Sequence, residues 1–368
     1  MRRYPAAVAL LGVCLLSSSL LANPATRQVV HVYNWSDYIA PSVIADFTRA
    51  TGIRVVYDVY DSNEILEAKL LTGSSGYDVV FPTARPFGAR QVAAGAYRPV
   101  DRSKLSHLHH LEGRHLAALK DIDPGNAHLL PYMWGTSGIG INEEAVRARL
   151  GDDLPLDSWS LIFDPAIAAK LADCGIAILD AALDGLPAAL FWLGKDPSIA
   201  ADSDVEAATR AFLAVRPFIR YFHSSQYIND LANGDICVAM GYSGDIIQAA
   251  SRAEEVGKAH TVRYLIPREG AIIWTDVMAI PRDAPHPEAA HAFIDWLLRP
   301  EVIAEVSNHV AYANANGDAT ALLDAAVRDD RGIYPDEEVL ANLRAMRLLT
   351  PAELREHTRA WTRIRRGR

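Results

Sequence analysis

From Val29 onward the chain alternates between short β-rich runs and amphipathic helical stretches, and few folds accommodate that order. Val29 to Tyr33, Ile53 to Tyr60 and Tyr77 to Phe81 read as strands, with helices predicted over Ser42 to Thr51 and Asn63 to Leu71. Pro41 before the first helix, Val43, Ile44 and Phe47 on one face, and Gly52 past its end are start, core and stop signals. Strictly alternating strands and helices imply a parallel sheet with right-handed crossovers, and such sheets bind ligands beyond the carboxyl ends of their strands. Trp35 to Tyr38 follow the first strand and Pro82-Thr83-Ala84-Arg85 follow the third, so both are placed at one crevice.

A second alternating region begins at a predicted crossing strand, Thr136 to Asn142. It continues through strand Ile176 to Leu179, helix Asp184 to Leu193 and strand Ile236 to Met240. Asp184 and Asp245 fall just after strands, as Asp37 does in the first region. A chain of 368 residues exceeds one ordinary domain of about 100–200 residues, so two lobes facing each other across a cleft are expected. Arg263 to Pro267 with Gly270-Ala271 reads as the return crossing. The expected division is 27–134 with about 268–300 in one lobe, and about 135–267 with 301–368 in the other. Pro287 to Val310, interrupted at Pro300, and Pro351 to Arg366 read as helices that complete the chain.

The first residues, Met1-Arg2-Arg3, an apolar run through Val8 to Leu16, then serines and Leu20-Leu21-Ala22, have the form of a secretory signal over 1–22, cleaved after Ala22. Cys14 leaves lipidation as an alternative, although the bulky Val13 before it makes a poor acylation motif. No later segment approaches the ~20 apolar residues of a membrane helix, so a protein soluble outside the cytoplasm and not embedded in a membrane is expected. Two cysteines remain, Cys174 and Cys237, and an oxidising compartment leaves a bridge or a pair of buried thiols. Removing Arg2 and Arg3 takes the formal charge from −9 to −11. That excess disfavours nucleic acid and favours cationic partners.

Acidic residues lie among aromatic ones on the loops that follow strands: Trp35-Ser36-Asp37-Tyr38, Asp184, Tyr242-Ser243-Gly244-Asp245, Trp274-Thr275-Asp276 and, further on, Tyr312. An ammonium leaving water needs a carboxylate to offset its desolvation, and the methylenes beside it need flat apolar walls whose π faces attract positive charge. The pattern therefore predicts a box for an organic cation. Singly, each aspartate would serve as a turn or helix cap and each aromatic as a core residue; their convergence after strand ends favours a ligand site. His107, His109, His110 and His115, with Glu112, match no tight zinc spacing and read as a solvated surface helix. Gly241-Tyr242-Ser243-Gly244 lacks a full nucleophile elbow, and Gly73-Ser74-Ser75-Gly76 lacks the residues of a phosphate loop. Neither catalysis nor a cofactor or metal is expected.

Tyr33 to Ile39, Phe222-His223-Ser224-Ser225-Gln226-Tyr227-Ile228-Asn229-Asp230-Leu231-Ala232-Asn233-Gly234-Asp235 and Tyr312-Ala313-Asn314-Ala315-Asn316 resemble the polyamine-binding periplasmic proteins of ABC importers, closest to the putrescine-binding branch. The resemblance implies a type II periplasmic binding fold, two α/β lobes with a hinge and an interlobe ligand cleft. It implies delivery of a polyamine, putrescine foremost, to an ABC permease and its ATPase by a monomer. The ligand contacts it implies are Trp35, Ser36, Asp37, Tyr38, Thr83, Asp184, Tyr242, Asp245, Trp274, Asp276 and Tyr312, and it pairs Cys174 with Cys237. Asp184 stands for a family glutamate, Tyr242 for a tryptophan and Trp274 for a phenylalanine. Arg85 departs further, standing near the cleft where the branch carries a small serine. A guanidinium there would pair with Asp37 or Asp184, point to solvent, or alter ligand specificity. Spermidine, cadaverine or agmatine would need room beyond Asp184. The rival reading is a binding protein or periplasmic sensor for another ligand, whether a carboxylate-bearing amine or a metal ion.

Overall fold

The computed structural model describes residues 28–368, so the signal segment and Cys14 lie outside the described residues. Two sheets organise the chain. The first has the order β2-β1-β3, formed by β1 (Val29–Trp35), β2 (Arg54–Tyr60) and β3 (Val79–Val80), all parallel. The Pro41–Thr51 helix that joins β1 to β2 buries Val43 and Phe47, and it ends at Gly52 in the left-handed conformation, φ 75°. Only glycine enters that region without a steric cost, so the stop signal works as read.

The second sheet is built on β4 (Leu130–Asn142), thirteen residues long and buried along its whole length. Its path also contains β5 (Ile176–Ile178), β6 (Ile219–Phe222), β7 (Val238–Tyr242), β9 (Ala271–Met278) and β11 (Leu343–Ala345), in the order β11-β9-β4-β7-β5-β6. Further along β4 pair β8 (Val262–Leu265) and β10 (Ala313–Asn314). A strand buried on both faces needs small residues where neighbours approach. A Cβ on Gly138 would stand 2.5 Å from the Tyr264 hydroxyl.

The return crossing differs from the expectation. Val262–Leu265 stays in the second sheet, antiparallel to residues 139–142 of β4. The chain instead returns along β9, which pairs antiparallel with β4. Beyond it the backbone of Val80 and Ala279 exchanges two hydrogen bonds of 3.0 Å, attaching the returning chain to the first sheet. The run Arg263 to Pro267 carries strand propensity, but propensity does not say which sheet a strand joins. The strand predicted from Thr136 begins six residues earlier, at Leu130, and that predicted over Ile236 to Met240 runs over Val238–Tyr242. The histidine-rich segment is no continuous helix. It forms a turn at Leu108–His110 and a short helix at Gly113–Ala117, with His107 paired to Asp295 and His110 to Asp318. Pro287–Leu297 and Pro300–Val310 are separate helices, and Pro351–Arg366 closes the chain with a Thr350–Glu353 capping box.

Cys174 and Cys237 form a disulfide. They precede β5 and β7, which run parallel side by side, so the bridge ties together the amino ends of two strands. Their carboxyl ends lead into the helices that carry Asp184 and Asp245. Closing a loop across 63 residues removes much of the unfolded chain's freedom. Replacing both cysteines with alanine is expected to lower stability by about 2–4 kcal/mol in urea unfolding.

Candidate functional site

One wall of the cleft grows from the first sheet. Trp35 ends β1, and its indole nitrogen donates 2.8 Å to the Phe81 carbonyl, which holds the ring against the sheet end. The amide of Ser36 donates 3.1 Å to Tyr60 O, and Asp37 follows at φ 53°, a turn that sends the chain back towards Tyr38. Tyr38 is buried edge-on to Tyr132 and Tyr312, with centroids 5.6 and 5.1 Å away. Thr83, just beyond β3, forms an antiparallel bridge with Asp276 on β9. That bridge brings a loop of the first sheet against a strand of the second.

The facing wall comes from helix starts. Asp184 lies in the first turn of the Ala182–Trp192 helix and Asp245 in the first turn of Ser243–Glu255, where unpaired amides and the helix dipole favour negative charge. Ser137 donates 2.6 Å to Asp184 Oδ1. Tyr227 donates to Asp245 Oδ2 and Tyr312 to Asp245 Oδ1, each at 2.6 Å. Trp274 and Asp276 are two residues apart on β9 and so share a face. The Trp274 ring meets Tyr242 and Tyr312 at 5.7 and 5.4 Å in tilted, edge-like packing. Gly244 permits this closeness, since a Cβ there would stand 2.5 Å from the Tyr312 ring.

Burial dominates the electrostatics. Asp184 and Asp276 are each 4% exposed, and burial pushes their carboxyls up to about 6 and about 7. Burial also raises Asp245 to about 6, an effect its two tyrosine hydrogen bonds only partly offset. The hydroxyls of Thr83 and Tyr38 lie near enough to soften the field at Asp276. Even so, Asp276 Oδ1, the Tyr38 hydroxyl and the Trp274 indole nitrogen are buried without an aligned hydrogen-bond partner. None of the three aspartates pairs with a lysine, arginine or histidine among the described residues. Such groups carry a cost that a cation between them would offset.

Trp35, Ser36, Tyr38, Thr83, Asp184, Tyr242, Asp245, Trp274, Asp276 and Tyr312 all line one cavity. Two candidates stand elsewhere. Asp37 is not part of the lining: it is exposed and forms an ion pair, 3.3 Å long, with Arg252 of the facing Ser243–Glu255 helix. Arg85 pairs with neither Asp37 nor Asp184. Its guanidinium binds Asp121 and donates 3.3 Å to the Ala118 carbonyl. It lines a second cavity of ≈ 470 Å³ that shares Trp274 and Met346 with the first. Asp121 does not flank the cleft in sequence, standing 36 residues from Arg85 in a turn with no distinguishing motif.

The cavity also takes in Glu64 and Asp180, which sequence reasoning missed. Glu64 could have been found, because it sits in the first turn of the helix after β2, by the rule that located Asp184 and Asp245. Ser137 and Tyr227, which position the acids, carry no comparable signal.

A two-lobed α/β protein whose facing walls converge on buried acids and aromatic rings is, as a class, a solute-binding protein. The chain belongs to the bacterial extracellular solute-binding family, whose sequence profile matches residues 42–333. Among its relatives is the putrescine-binding periplasmic protein SpuD of Pseudomonas aeruginosa (strain UCBPP-PA14). It is 51% identical over 348 residues, covering 95% of each chain. The putrescine-binding periplasmic protein PotF of Escherichia coli K12 is 48% identical, covering 98% of this chain and 97% of PotF. A solved structure of a spermidine/putrescine ABC transporter substrate-binding protein, PotD of Streptococcus pneumoniae, superposes with a TM-score of 0.75 at 25% identity. That match covers 92% of this chain and 99% of PotD. SpuD and PotF are named for binding putrescine in the periplasm, and PotD as the substrate-binding protein of an ABC transporter.

A carboxyl raised in the folded state adds stability below its unfolded pKa and loses it as pH rises through the folded value. For Asp276 that window runs from about 4 to about 7. Asp276→Asn keeps the shape without the charge. In the ligand-free protein its stability relative to wild type should therefore rise with pH across that window, by up to about 4 kcal/mol, in unfolding measured at pH 4, 6 and 8.

Proposed function

We propose that this protein captures a linear polyamine, putrescine foremost, in the periplasm and presents it to an ABC permease and its ATPase. The observation that carries the reading is the set of three aspartates, Asp184 and Asp276 buried and Asp245 half-buried, enclosed by aromatic rings with no cationic partner among the described residues. In this reading Asp245 and Asp276 hold one ammonium and Asp184 the other. Trp35, Tyr38, Tyr242, Trp274 and Tyr312 sandwich the methylenes, with Ser36 and Thr83 supplying polar edges. The cavity has a volume of ≈ 90 Å³. The names of SpuD and PotF agree with this ligand.

The lobes in this proposal are 27–134 with about 268–300, and about 135–267 with 301–368, which hinge on β4 and β9. Asp37 and Arg252 act as a surface clasp on the closed form rather than as ligand contacts. Arg85, satisfied by Asp121, keeps its charge out of the diamine site and does not select the ligand. The protein works as a monomer, docking on the permease once closed.

Titration calorimetry of mature protein, unfolded and refolded to strip carried-over ligand, tests the reading. Saturable binding of putrescine at micromolar or tighter affinity is expected, and absence of heat would refute it. Asp245→Asn should weaken binding by about 1.5–3 kcal/mol, because the ammonium then loses one of the two carboxylates that hold it.

A further inference from the structure

A second constellation stands at the opposite end of β1, four residues and about 13 Å of strand from Trp35. Asp78 precedes β3, and its side chain has no solvent exposure. Its Oδ2 lies 3.3 Å from His31 Nδ1 and 3.1 Å from His286 Nδ1, and the three potential ligand atoms all fall within 4.8 Å of one another. We propose that His31, Asp78 and His286 form a binding site for a divalent transition metal ion of the zinc class.

The geometry is the first argument. A tetrahedral zinc ion takes imidazole nitrogen at ~2.0–2.1 Å and carboxylate oxygen at ~2.0–2.2 Å, which places neighbouring ligand atoms about 3.3–3.4 Å apart. Two of the three edges already have nearly that length. Preorganisation is the second. The amide of His31 donates 2.8 Å to Asp78 Oδ2, that of His286 donates 2.5 Å to Oδ1, and the Asp78 amide returns 2.7 Å to the His31 carbonyl. The backbone thus fixes the carboxylate independently of the imidazoles, and ligand orientation would survive the exchange of two N–H to oxygen hydrogen bonds for metal bonds.

Access is the third argument. The imidazole side chains are 30% and 39% exposed, so an ion can reach them from solvent, with water completing its coordination. Each would bind as neutral imidazole through Nδ1, with its single ring proton carried on Nε2. The three residues come from β1, the approach to β3 and the residue before the Pro287–Leu297 helix. A bound ion would therefore fasten the returning chain to the first sheet. The more obvious cluster is less suitable, since His107 and His110 are each committed to their own acid, Asp295 and Asp318.

The test uses tag-free mature protein stripped with a chelator, then titrated with Co²⁺ followed by its visible bands and with Zn²⁺ followed by calorimetry. One equivalent should bind with the absorption of four-coordinate cobalt. His286→Asn, a change at an exposed ring that retains the backbone contact, should weaken binding beyond the ~10–100-fold typical of losing an outer-shell partner. His31→Gln should do the same, while a double His107→Asn, His110→Asn variant should bind as wild type does. The proposal is overturned if no saturable binding occurs, if His286→Asn and His31→Gln both bind normally, or if the double variant abolishes binding.

Discussion

The cleft depends on two carboxylates kept out of water and a third half-buried, none paired with a lysine, arginine or histidine among the described residues. Asp184, Asp245 and Asp276 are held by two helix starts, a strand and a few hydroxyl groups, each a partial compensation and none a full one. Burial raises all three above the usual carboxylate range. A site so poised favours a positively charged guest through the removal of its own penalty, beyond any direct attraction. Under the proposed function the aromatic walls would add what carboxylates cannot, an apolar surface for methylenes whose ring faces remain attractive to cations.

The scaffold keeps these acids in register. Parallel β5 and β7 are tied at their amino ends by the Cys174–Cys237 bridge and deliver Asp184 and Asp245 at the other. The long pair β4 and β9 carries Ser137, Trp274 and Asp276, so the elements that pass between the two sheets are also site elements. Movement of one sheet relative to the other would therefore change the cleft directly. The Asp37–Arg252 pair ties the turn after β1 to the Ser243–Glu255 helix outside the cavity lining.

Much of this was readable beforehand because it rests on local rules. Positions just after strands located Asp184 and Asp245, and Gly52 stopped its helix where expected, whereas Trp274-Thr275-Asp276, read as a loop, lies inside β9. What local rules could not supply was partner choice across long separations. Arg85 takes Asp121, Asp37 takes Arg252, and β8 joins β4 rather than returning to the first sheet. Each outcome depends on tertiary placement, and none leaves a periodicity or motif behind. The trio at His31, Asp78 and His286 belongs to the same kind, assembled from three distant segments.

The central claim is that a cation replaces protons in this cleft. Calorimetry of putrescine binding at pH 6.5, repeated in buffers of different ionisation enthalpy, measures that exchange directly. With folded values of about 6, 6 and 7, the acids should together release about one proton as a diamine binds. An observed heat that does not depend on the buffer would mean the carboxylates are already ionised in the empty protein, and the account of a site held poised by burial would be wrong.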